Sequence, residues 1–199
     1  MPLVDRVALP DAGKIIILNG ASSSGKSSLG RALQSQLSQA YQHLQLDTFR
    51  NMEPPSYWKD WEKLPPEAVA SKVAALCRAM NAAISEYSRH VQSVIFDTVL
   101  SNPESWRYLL EDLVDLPVYL VGVTCGAEEL SRREKARGDR ELGLATRQSE
   151  WIHSDKEYDL LVDSTVATPE QCATEVVDWL SNNPVPHAFN TMRVRFGVA

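Results

Sequence analysis

An apolar run, Ile15-Ile16-Ile17-Leu18, is followed after Asn19 by Gly20-Ala21-Ser22-Ser23-Ser24-Gly25-Lys26-Ser27, and a segment of helical periodicity opens directly behind it. The pattern G-x-x-x-x-G-K-[ST] between a strand and a helix restricts a chain severely. Its glycines let successive backbone N–H groups turn inward around a phosphate, and the helix adds the positive end of its dipole. Lys26 is expected to reach the β- and γ-phosphates of a nucleoside triphosphate, and Ser27 to place its hydroxyl on a bridging Mg²⁺. Gly20, Ala21, Ser22, Ser23, Ser24, Gly25, Lys26, Ser27 and Ser28 are thus the candidate nucleotide-binding residues. A plain Gly/Ser turn is the duller reading, and the flanking strand and helix weigh against it.

Buried strands are expected at Lys14–Asn19, His43–Asp47, Val91–Asp97, Val118–Thr124 and Asp159–Asp163, with periodic or capped segments between them. Such alternation predicts an α/β fold, a parallel sheet covered by helices on both faces. Val69, Val73, Leu76, Cys77, Met80, Ile84 and Tyr87 recur every three or four residues, one face of a helix that begins after Pro65-Pro66. Ser101-Asn102-Pro103-Glu104 and Thr168-Pro169-Glu170-Gln171 each combine a cap, a first-turn proline and a residue placed for a capping box. At 199 residues one domain is expected, spanning 1–183, with 184–199 as a tail. The tail has two prolines, two arginines and no acid, and reads either as a mobile end, the favoured reading, or as an arm docked on a neighbouring subunit of a homo-oligomer.

A formal charge of −6 argues against a nucleic acid or an anionic membrane as the main partner, which leaves a small molecule. Cys77, Cys125 and Cys172 stand far apart without C-x-x-C spacing, so neither a disulfide framework nor a zinc site is expected. No run approaches the ~18 apolar residues of a membrane span. Asp5, Arg6 and Asp11 interrupt the first thirteen residues, so the reading is a soluble, unexported, cytoplasmic protein.

Asp97 closes the run Val94-Ile95-Phe96-Asp97 and would bring a carboxylate to the metal side of the phosphates; a strand-end Asp can also simply cap a turn. Asp47 is expected to end the second strand on the opposite side, where it could accept a hydrogen bond from an acceptor hydroxyl, or else cap the following helix, as Thr48 also could. Arg133, Arg137 and Arg140 share one face if Glu128–Arg140 is helical, and Ser131–Arg140 holds five basic and two acidic residues. That stripe suits a transferred phosphoryl group, or a solvated face paired with Glu134 and Asp139. Gly138 should loosen or end the helix, as a segment that closes and reopens requires. Met52, Tyr57, Trp58 and Trp61, in the proline-containing stretch Asn51–Leu64, either line an acceptor pocket or pack a loop. The four histidines, His43, His90, His153 and His187, have no metal-ligand spacing or triad partner and receive no chemical role.

These blocks together resemble the chloramphenicol phosphotransferase family of phosphate-loop small-molecule kinases. The resemblance runs through Ile15–Ser27, Asp47, the Asp97 strand, Val121–Cys125, the lid-like Arg133–Arg140, and Glu157-Tyr158-Asp159 leading to Val162-Asp163-Ser164-Thr165. It implies a three-layer fold with a five-stranded parallel sheet of order 2-3-1-4-5 and a short helical arginine lid at about 126–140. It also implies ATP with Mg²⁺ as donor and a small-molecule alcohol as acceptor, chloramphenicol or a related scaffold. By the same resemblance Asp47 takes the general-base position, Arg133, Arg137 and Arg140 act beside Lys26 as the catalytic cations, and Ser164–Thr168, with Thr165, lies near adenine. The Pro and Trp pattern of Asn51–Leu64 departs from the family's antibiotic-binding stretch. A nucleoside, sugar or shikimate-type kinase is the alternative acceptor class, and a nucleotide-dependent switch the alternative to a kinase.

Overall fold

In Ile15–Asn19 every side chain is buried, because alternate residues of this central strand face different layers of helices. Ile15 and Ile17 pack with Val94, Phe96, Leu109 and Leu110 on one face, while Ile16 and Leu18 pack with Leu29, Leu33, Ile95 and Val176 on the other. The computed structural model describes residues 12–54, 56–57, 63–90, 92–138 and 142–198.

Five strands, β1 (Ile15–Asn19), β2 (Tyr41–Gln45), β3 (Ser93–Thr98), β4 (Val118–Thr124) and β5 (Leu160–Asp163), form one parallel sheet in the order β2-β3-β1-β4-β5. This is the phosphate-loop fold and order expected above. Helices α1 (Lys26–Gln36) and α7 (Pro169–Ser181) pack together on one face. Helices α3 (Pro66–His90), α4 (Pro103–Asp112) and α8 (Ala188–Arg195) cover the other. Helices α2 (Leu46–Met52), α5 (Ala127–Arg137) and α6 (Leu144–Ser149) complete the chain. Local chemistry sets the helix starts: Asn102 accepts from the Ser105 N–H at α4, and Thr168 with Gln171 forms a complete capping box at α7. Among the described residues no helix is long and apolar enough to cross a membrane.

Two expectations give way. The second strand ends at Gln45, and Asp47 sits in the first turn of α2, because Leu46 and Phe49, three residues apart, pack onto the α3/α4/α8 core as a helical face does. Nor is the segment after Pro184 a loose end: Ala188, Phe189, Met192 and Val198 are buried in that same core. Asp159, whose side chain is 1% exposed, explains the docking. Its Oδ1 accepts from the His187 and Ala188 N–H groups that open α8, and its Oδ2 accepts from Leu120 N–H in β4.

Candidate active site

Leaving β1 at the carboxyl edge of the sheet, the chain turns through Gly20–Gly25 into α1. Ser23 (φ 60) and Gly25 (φ 90) take the left-handed conformation, which glycine adopts freely and serine at a cost of about 1–2 kcal/mol. At Gly20 a Cβ would lie 2.3 Å from the Val123 carbonyl oxygen, so the loop can rest on β4 only with glycine there. Lys26 is almost buried and donates to the carbonyls of Gly20 (3.0 Å) and Ala21 (2.7 Å). The hydroxyls of Ser23 and Ser24 are buried without a hydrogen-bond partner among the described residues. Buried hydroxyls left without a partner are unfavourable, and the oxygens of a bound phosphate would be suitable acceptors for them.

A cleft of about 1360 Å³ opens above the loop. Ser22, Ser23, Gly25, Lys26, Ser27, Ser28, Asp47, Asp97, Arg133, Arg137 and Thr165 all line it. Gly20, Ala21 and Ser24 complete the loop without facing the cleft, and Arg140, Trp58 and Trp61 lie outside the described residues. Ser27 and Asp97 both line the cleft, and a hydroxyl and a carboxylate are hard oxygen donors of the kind Mg²⁺ takes, so their chemistry fits the ion that would accompany a triphosphate.

The β2–β3 register places Gln45 beside Asp97, and His43, two residues earlier, faces the same side. His43 Nε2 lies 2.8 Å and Gln45 Nε2 2.9 Å from one oxygen, Asp97 Oδ2. Burial alone would raise the Asp97 pKa, but the bonds from His43 and Gln45, helped by the charges of His43 and Lys26, hold it below the usual carboxylate range. Sequence reasoning left His43 without a role. Its partner is 54 residues away, and only the strand register joins them.

Asp47 lines the cleft between Leu46 and Arg50, and those two residues also line a second cavity of about 540 Å³. That cavity runs between α3 and α4, with Leu76, Met80, Phe96 and Leu109 among its walls. The two spaces also share Thr98, Val99 and Ser101, so they adjoin beside Asp47.

Helix α5 ends at Gly138 (φ 68), where the expected break falls. Arg133 is fixed by Glu129 (2.7 Å to Nε) and by Ser164, whose carbonyl accepts from Nη2 at 2.6 Å; Arg137, one turn on, is exposed to the cleft. Glu129, in contact with Arg132 and Arg133, titrates at about 2. Glu134, which the sequence offered as an ion-pair partner, instead accepts from the N–H groups of Gly143 (2.5 Å) and Ala145 (2.9 Å). Ser22 N–H donates to Gln148 Oε1 at 2.7 Å, joining the phosphate loop to α6. In the loop after β5, Thr165 Oγ1 accepts from Gly126 N–H at 2.8 Å. Behind the loop, Asn19 donates to the Tyr158 hydroxyl (2.7 Å), which lies 3.0 Å from His153 Nδ1. Burial pushes Tyr158 up to about 12 and, with the charge of Lys26 and against a bond to Val123, pulls His153 down.

A phosphate-loop cleft with a second cavity adjoining it, on this sheet order, is the architecture of an ATP-dependent kinase of small molecules. The chain belongs to the chloramphenicol phosphotransferase-like family, whose model matches residues 13–181. It is 34% identical, over 92% of its own length and 89% of the relative's, to a Mycobacterium tuberculosis protein provisionally named an O-phosphotransferase. Two solved structures share the fold: the M. tuberculosis APS kinase in complex with AMPPNP and APS, and the Acinetobacter baumannii shikimate kinase in complex with shikimate. The first has TM-score 0.64 and 18% identity, covering 86% of this chain and 99% of that one. The second has TM-score 0.61 and 11% identity, covering 89% and 96%.

Proposed function

We propose that the protein transfers the γ-phosphoryl group of ATP to a hydroxyl of a small molecule seated in the cavity between α3 and α4. The observation that carries this reading is the position of Asp47, on the wall of the nucleotide cleft between two residues that also wall the second cavity. A carboxylate there can accept the acceptor's hydroxyl proton while that oxygen bonds to the γ-phosphorus and the bond to the β–γ bridging oxygen breaks, releasing ADP. Lys26 and the loop amides bind the phosphates, and Arg133 and Arg137 supply positive charge where the transferred group passes. Ser27 and Asp97 would hold Mg²⁺, which neutralises phosphate charge when bound.

Chloramphenicol, or an alcohol of similar scaffold, is one acceptor to test, given the family. A sugar, nucleoside or shikimate-like acceptor is the second reading, supported by the shared fold of the APS and shikimate kinases. Incubation of the protein with ATP, Mg²⁺ and a panel of alcohols that includes chloramphenicol tests both. ADP release that depends on an acceptor, with one phosphoryl group gained by that acceptor in mass spectrometry, is the expected result. Release indifferent to every acceptor in the panel and in a metabolite extract would point to a nucleotide switch.

A further inference from the structure

The imidazole of His43, on β2, is pressed between Asp97 and helix α1. Its side chain is 7% exposed, and both it and Gln45 meet the same Asp97 oxygen, Oδ2. Beneath the ring is Gly30, one turn into α1 from Lys26. A Cβ at Gly30 would stand 2.4 Å from His43 Nε2 and 2.5 Å from Cε1, so the helix that carries the phosphate-binding lysine is left bare where the imidazole must fit. An ionised carboxylate only accepts hydrogen bonds, so Nε2 carries the proton that points at Asp97.

We propose that His43 is a positioning residue for metal binding: by holding Asp97 through Oδ2, it keeps the carboxylate in one orientation for the Mg²⁺ that accompanies ATP. This rests on the kinase reading. Groups that orient a metal-binding carboxylate usually change metal affinity by about 10–100-fold when lost. A histidine that only stabilises the sheet would lower the melting temperature and leave that affinity alone.

The test is calorimetric titration of a non-hydrolysable ATP analogue into the full-length protein, in EDTA and again in Mg²⁺, which needs no acceptor. In His43→Ala the affinity in EDTA should stay within about twofold, while the tightening brought by Mg²⁺ should shrink by roughly tenfold or more. His43→Gln, whose amide can donate from near the position of Nε2, should recover most of it. Should His43→Ala not fold, Gly30→Ala crowds the ring without removing it; alanine is otherwise the better helix former, so a lost Mg²⁺ effect there would trace to the displaced imidazole. A full Mg²⁺ effect in the alanine variants overturns the proposal, as does an equal loss in EDTA and in Mg²⁺. Failure of the wild-type protein to bind the analogue at all would instead sink the kinase reading, and this inference with it.

Discussion

The hydroxyl of Ser164 donates to the carbonyl oxygen of Ser24 at 2.8 Å, tying the segment after the last strand to the phosphate loop. The same Oγ accepts from Arg133 Nη1 at 3.3 Å, so one small buried side chain couples the loop to helix α5. Ser164→Ala should destabilise the fold by about 1–3 kcal/mol, the usual effect of leaving a buried polar group unpaired, and should raise KM for ATP several-fold. Urea unfolding and steady-state kinetics measure the two; an unchanged KM would show that the contact supports the fold alone.

Asp47→Ala should lower kcat by about 10²–10⁴ while nucleotide affinity stays nearly constant, since a positioned base acts on the acceptor rather than on ATP. Single-turnover phosphoryl transfer beside analogue titration checks it. Normal turnover in the variant would remove Asp47 from the mechanism.

Arg133→Ala breaks bonds to Glu129 and Ser164 and should reduce both thermal stability and turnover. Arg137→Ala, on the wall of the cleft, should lower kcat by roughly 10²–10³, the range for removal of one charge-stabilising donor. Steady-state kinetics of both variants, with a melting curve for Arg133→Ala, checks this; normal kcat in Arg137→Ala would remove that arginine from the mechanism.

Asp159→Ala should detach α8. Three backbone N–H groups lose their acceptor, one of them inside β4, at a cost of about 3 kcal/mol. Hydrogen exchange should show lost protection concentrated in Ala188–Arg195. Protection spread evenly through the chain would contradict the capping role of that carboxylate.

The folded-state pKa of His153 is depressed below 6.5, so the unfolded chain takes up its proton first as pH falls. The stability this group contributes is present above pH 6.5 and is lost as the solution is acidified through its folded pKa. Wild-type stability should therefore decline below that point more steeply than that of His153→Gln, whose side chain does not titrate. Parallel pH profiles from urea unfolding would refute this.

What could be read from the sequence was whatever lies close along the chain. Gly20–Ser27 is one contiguous motif, and the capping box Thr168–Gln171 spans four residues, so both were visible beforehand. The pairing of His43 with Asp97 depends on strand register, and that of Asp159 with α8 on a contact 28 residues apart, so neither left a local signature. The tail misled because its prolines and arginines say nothing of a buried acceptor waiting elsewhere. Asp47, expected to end a strand, lies in a helix instead, since Leu46 and Phe49 fit a strand's alternation less well than a helical step. The second cavity is built by residues from α2, α3, β3 and α4, a convergence that no single stretch announces.

Glu134 grips the amides of Gly143 and Ala145, and Gln148, one turn into α6, grips the amide of Ser22. Three backbone amides thus join α5 to α6 and α6 to the phosphate loop, so any shift of α5 that keeps these bonds is felt at Ser22.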